Sequence, residues 1–258
     1  MKSLAFFALS AIATAAMATQ PVSTPTLKIS GTSVQVASVN GGNVTNTAKD
    51  YAYANQNIAS NKGGVEIKGT SSQTAILTQA NVTNDARSAG DVAVQSLASN
   101  VGDVTVDKSY WLTGSSTQTV YVTNGSMTNE ADSGAGCYGS NCRDAALAYQ
   151  NAASNMGDIS ISGTSIQAVG VSGYGTRVSN EADGKSTAAI QNLSSNYGKV
   201  SITGYSNQST SILNGAQVAN LARGTHAVAI QNIASNDSCD PPPAVCVGPA
   251  CGPFALAH

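Results

Sequence analysis

The residue types that carry most enzymatic chemistry are nearly missing from this chain. His226 and His258 are its only imidazoles. Nothing around His226 suggests a Ser-His-Asp relay. There is no His-Glu-x-x-His pair and no phosphate-cradling Gly-rich loop, and Gly173-Tyr174-Gly175 is only a fragment of a dinucleotide fingerprint. Three carboxylates, Asp85, Glu130 and Glu181, recur at matched positions. Clustered, they could serve a glycan-cleaving site or hold a cation such as Ca²⁺; a well-solvated edge is the preferred reading. No cofactor and no resident metal is expected, and the chain reads as a non-enzyme.

What does recur is the carboxamide. Gln35, Gln73, Gln118, Gln167 and Gln208 end a Val-x-Ile-type segment; Asn46, Asn84, Asn129, Asn180 and Asn220 follow in Asn-x-Ala; then come Gln56, Gln95, Gln150, Gln191 and Gln231. A turn Asn closes each unit: Asn61, Asn100, Asn155, Asn196 and Asn236, always five residues after the second Gln and, in the first four units, four before the next Val or Ile. Self-similarity of this kind marks a repeat architecture. The chemistry such residues can do is mutual hydrogen bonding: a primary amide both donates and accepts, so identical amides stacked one layer apart can form a ladder. The expected assembly ladder is therefore the two Gln sets and the turn Asn set.

The elements that must hold these amides in line are strands. Val65-Glu66-Ile67-Lys68 and Val200-Ser201-Ile202-Thr203 alternate apolar and polar with period two. Asn61-Lys62-Gly63 and its copies read as turns. Ala52 to Ile58 is read as strand despite its alanines. The expectation is an all-β fold: five units of about 40 residues, each with two or three short strands, stacked as a β-solenoid or cross-β column. Val65, Val104, Ile159 and Val200, with Ile67, Val106, Ile161 and Ile202, would fill a thin dry core. Lys28 would neighbour Glu66 favourably, whereas Asp85, Glu130 and Glu181 would stack unfavourably.

Unit three alone breaks step. Asp107 to Thr113 is about six residues longer than its counterparts and carries Tyr110 and the only tryptophan, Trp111. Aromatics folded back over the stack are expected there, with an exposed contact loop as the other reading. A second insertion holds Cys137 and Cys142, for which a local disulfide is expected.

Composition and address narrow the classes. Only 10% of residues are charged, 5% are aromatic and the net charge is −2. That lacks the basic footprint of a nucleic-acid binder. Residues 1–18 read as a secretory signal peptide: Met1-Lys2, an apolar run from Leu4 to Ala13, then Ala16-Met17-Ala18. Nothing afterwards suits a membrane span. Residues 19–26 form a polar leader, 27–236 the five-unit array, and 237–258 a tail rich in Pro and Cys with Cys239, Cys246 and Cys251. The five cysteines suit an oxidising compartment, and their odd number leaves one thiol over.

The repeated Gln-Asn-x-Ala-Ser-Asn-x-Gly-x-Val-x-Ile-x-Gly-x-x-x-Gln resembles the repeats of Fap-type fimbrial subunits, the functional amyloids of bacterial biofilms, and more distantly those of curli subunits. The resemblance covers Leu27 to Asn236 at the level of pattern. Here the units abut without that family's long linkers, and the tail cysteines are spaced more widely than its Cys-x-x-Cys. What the resemblance implies is a secreted subunit that crosses an outer-membrane secretion machinery and polymerises, with itself or related fibre subunits, into extracellular cross-β fibres for biofilm matrix or surface adhesion. The two Gln sets would take the ladder role. A discrete, monomeric β-solenoid adhesin or ice- or glycan-binding module is the alternative, and a glycan-cleaving solenoid leans on the carboxylate column alone.

Overall fold

The computed structural model describes residues 26–50, 52–87, 90–109, 111–133, 145–184, 187–224 and 227–237. Among them there is no helix. Strands β1 (Thr26–Ile29), β2 (Thr32–Asn40), β3 (Asn43–Lys49), β4 (Ala54–Ile58) and β5 (Asn61–Lys62) make a first rung, and the same five recur four times, ending at Asn236–Asp237. Each strand pairs in parallel with its counterpart one rung on, giving five parallel sheets of five strands. The expected stack is therefore present, but each rung has five strands where two or three were expected.

The register is the one the spacing demands. Gln35 aligns with Gln73, Gln73 with Gln118, Gln118 with Gln167 and Gln167 with Gln208. Both insertions of unit three fall between strands, so Ser115 still pairs with Thr70 after the first and Ala148 with Ala93 after the second.

The corners explain the repeated Ala-Ser-Asn. The corner after β4 turns through a residue in the left-handed region in every rung: Ala59, Ala98, Ala153, Ser194 and Ala234, with φ of 46 to 50°. Alanine there costs roughly 1 kcal/mol, and the corner is held by the next residue. Ser99 Oγ lies 2.8 Å from the Leu97 carbonyl oxygen, and the Ser154 N–H of the rung above donates to it at 3.2 Å. Ser154 and Ser195 repeat the arrangement. The third residue, Asn61 and its copies, is not in a turn as expected but begins the two-residue strand β5. Of the expected Asn-x-Gly turn only the glycine, two residues on, turns: Gly63, Gly102, Gly157 and Gly198, all at φ of 104 to 128°. At Gly102 a Cβ would come 2.2 Å from the Gly63 carbonyl oxygen, so stacking itself demands glycine there.

Among the described residues three apolar columns run through the stack. The expected one is built from Val65, Ile67, Val104, Val106, Ile159 and Ile161. A second, with Leu77, Val82, Leu97, Val122, Met127 and Leu193, fills the corner where β2, β3 and β4 and their copies meet. The third is alanine alone, including Ala54, Ala86, Ala93, Ala131, Ala148 and Ala182. Small side chains bring the third and fourth sheets close enough for amides to bridge them: Asn84 Nδ2 reaches the Ala54 carbonyl oxygen at 3.2 Å, and Gln95 Nε2 reaches that of Thr128 at 3.0 Å. In the middle rungs the fourth sheet is buried on both faces, as at Ala93–Leu97 and Ala189–Leu193.

Candidate functional site

The chemistry of this chain is distributed along the axis, so the site is a set of columns and the two edges where they stop. The second Gln column is a continuous ladder. Gln95 Nε2 donates to Gln56 Oε1 at 2.9 Å, Gln150 to Gln95 at 2.9 Å, Gln191 to Gln150 at 2.6 Å and Gln231 to Gln191 at 2.6 Å. The Asn61 column is another: Asn61 Nδ2 donates to Asn100 at 2.9 Å, Asn100 to Asn155 at 2.9 Å, Asn155 to Asn196 at 2.8 Å and Asn196 to Asn236 at 2.7 Å. A buried amide bond of this type contributes about 1 kcal/mol net and costs more to leave half-made.

The first Gln column is not a ladder. Its members lie one above another, but they donate across the rung. Gln73 Nε2 reaches the Ser99 carbonyl oxygen at 3.3 Å, Gln118 that of Ser154 at 3.1 Å, and Gln208 reaches Asn236 Oδ1 at 2.7 Å. The Oε1 atoms of Gln35, Gln73, Gln118 and Gln167 are buried and have no donor among the described residues. β2 and its copies face the corner after β4, and their amides donate there to a Ser carbonyl or to the Oδ1 of the Asn61 column instead of to one another.

Two ladders lie outside the expected set. The middle Asn residues form one: Asn46 Nδ2 donates to Asn84 at 2.7 Å, Asn84 to Asn129, Asn129 to Asn180 and Asn180 to Asn220 at 2.8 Å each. Their regular recurrence was the available signal. The second is short: Asn232 donates to Asn192 at 3.0 Å and Asn192 to Asn151 at 2.9 Å. It stops at Ser96, whose Oγ is unpartnered among the described residues, as is Asn151 Nδ2. The Gln-Asn dipeptide is its trace in the sequence.

The charged column is arranged much as the spacing implied. Lys28 lies 3.5 Å from Glu66, with Lys68 at 2.8 Å on its other oxygen. Asp85, Glu130 and Glu181 stack in register. Guanidinium groups share that face: Arg87 bonds Asp85 at 2.8 Å and Arg223 approaches Glu181 at 3.4 Å. Burial, then the neighbouring Asp85 carboxylate, pushes the Glu130 carboxyl above its ordinary range.

Trp111 is 86% exposed, in a loop closed by the bridge between Lys108 and Thr113. This corrects the expectation that it folds back over the stack: the insertion leaves the column between two strands, and its short antiparallel bridge carries the indole out into solvent. Tyr110, Cys137, Cys142, Cys239, Cys246, Cys251 and His226 lie outside the described residues. Among the described residues no helix is long and apolar enough to cross a membrane.

At the two ends the sheets stop. Among the described residues the strands of the first and fifth rungs pair on one side only. Both edges include a nine-residue strand, Thr32–Asn40 and Tyr205–Leu213. No family model, no curated protein and no solved structure matches this chain.

Proposed function

We propose that this chain is an exported structural subunit that self-assembles into extracellular amyloid-like fibres, of the Fap type in its repeat pattern, serving biofilm matrix or surface adhesion. The observation that carries this reading is the pair of long edge strands at the ends of an in-register parallel stack. Natural sheets blunt such edges with short strands, prolines or inward charges. Here neither nine-residue edge strand contains proline or a charged residue. An edge of that kind templates another chain through its backbone, and stacked identical amides add to it.

Its partner is a second copy or a related fibre subunit. The test is direct. The purified chain, left standing in buffer, forms fibres visible by negative stain, and aligned fibres diffract with a meridional reflection near about 4.7 Å. A monodisperse monomer at high concentration would overturn the reading and leave a discrete binding module in its place.

A further inference from the structure

We infer that copies of this chain join head to tail, the fifth rung of one against the first rung of the next, because the amide ladders have a fixed direction. This inference rests on the polymerising reading above and adds to it the polarity of the joint.

Every bond of the Asn46 and Asn61 ladders points its Nδ2 donor toward the fifth rung. Every bond of the Gln56 ladder points its Nε2 donor toward the first rung. The fifth-rung face therefore carries the next donors of two ladders, at Asn220 and Asn236, and the next acceptor of the third, Gln231 Oε1. The first-rung face carries the reverse: acceptors at Asn46 and Asn61 and a donor at Gln56. The faces complement each other, and neither complements itself. Two fifth rungs could meet only with one cross-section flipped over, which takes the ladder columns off one another and leaves their terminal amides half-made.

The rest of the face agrees. In a head-to-tail joint Val218 lies over Val44, Ala229 over Ala54 and Ile233 over Ile58, so the apolar columns run on, and all five sheets stay parallel. One pair is unfavourable, Arg223 over Lys49. Lys49 already neighbours Arg87 inside the folded chain, so this exposed site tolerates like charges. A joint between two different faces does not close on itself and grows without limit.

Each face can be blocked alone. The Asn81 N–H donates to the Gly42 carbonyl oxygen, so by alternation the Thr45 N–H points out of the first rung. Gly184 donates to the Arg223 carbonyl oxygen, so the Ala222 N–H points out of the fifth. Proline at either position puts its ring on the outer edge, where folding within the chain uses no N–H.

Thr45→Pro and Ala222→Pro, each verified as folded by circular dichroism, are sized by analytical ultracentrifugation. Head-to-tail joining gives monomers from each variant alone and, on mixing, one species of twice the mass that grows no further. Dimers of Thr45→Pro alone or Ala222→Pro alone, or fibres from the double variant, overturn the polarity while leaving polymerisation intact. A parent chain that never polymerises overturns both. If a proline variant does not fold, solid-state NMR of parent fibres grown from two differently isotope-labelled batches decides. Contacts between Asn220 of one chain and Asn46 of another support the joint, and Asn220 against Asn220 overturns it.

Discussion

Two buried glutamines of the third rung, each stacked on its own in-register column, do different work, and the difference is measurable. Gln150 donates to Gln95 and to the Ser179 carbonyl oxygen and accepts from Gln191. Gln118 makes one bond, to Ser154, and buries a bare Oε1. Methionine has nearly the same shape as glutamine. Gln150→Met should cost roughly 2–4 kcal/mol, whereas Gln118→Met should fall within about 1 kcal/mol of the parent, because it removes an orphaned acceptor along with its bond. Urea titration of both variants checks this, and equal losses would contradict it. Ser96→Asn should do the opposite: its Oδ1 meets the unused Asn151 Nδ2 and continues that ladder toward Asn57, adding roughly 1 kcal/mol. A variant no more stable than the parent counts against the ladder as drawn. This contrast was not legible in the sequence. Both Gln sets recur with the same fidelity, and both donate to a carbonyl across the rung; whether the amide also reaches its neighbour along the axis is a property of the folded cross-section.

At the level of elements, corners and faces set the tolerances. Gly102 combines φ of +127° with a backbone oxygen where its Cβ would be, whereas Gly175, at φ of +80°, has open space around it. Gly102→Ala should cost about 3 kcal/mol or more, and Gly175→Ala about 1–2 kcal/mol, the conformational term alone. Thermal unfolding of the pair separates stacking from backbone strain. The carboxylate column gives a pH test. A carboxyl raised in the folded chain binds its proton more tightly there than in the unfolded chain. Its ionised form therefore counts against the fold at neutral pH, and stability returns as pH falls through the raised value toward the ordinary one. Glu130→Gln should be more stable than the parent at neutral pH, and the gap should narrow on mild acidification. A gap that widens instead reverses the assigned sign. Strand alternation was legible at Val65–Ile67 because one face is apolar and the other wet. It was not legible at Ala93–Leu97, since that strand is buried on both faces. Two-residue strands such as Asn61–Lys62 are too short for any periodicity to reveal.

Across the whole molecule, the fixed spacing of amides and corner glycines was enough to give the number of rungs and the register between them. Each rung touches only its neighbours, so stability should behave as a sum of rung and interface terms. Deleting residues 159–199 joins Asp158 to Val200 and removes one complete layer. The shortened chain should fold with its remaining columns in line and unfold at a lower temperature, as judged by circular dichroism. A chain that loses its sheet signal altogether would mean that the rungs are not interchangeable.

The long loop of the third rung leaves the stack between two strands and returns without disturbing the layers above or below it. In a head-to-tail filament the single exposed indole at Trp111 would recur once every five layers, or about every 24 Å along the axis. A fibre of this chain would be a ruler as well as a rope: a smooth shaft bearing evenly pitched aromatic studs, whose interval is set by how many layers one molecule contains.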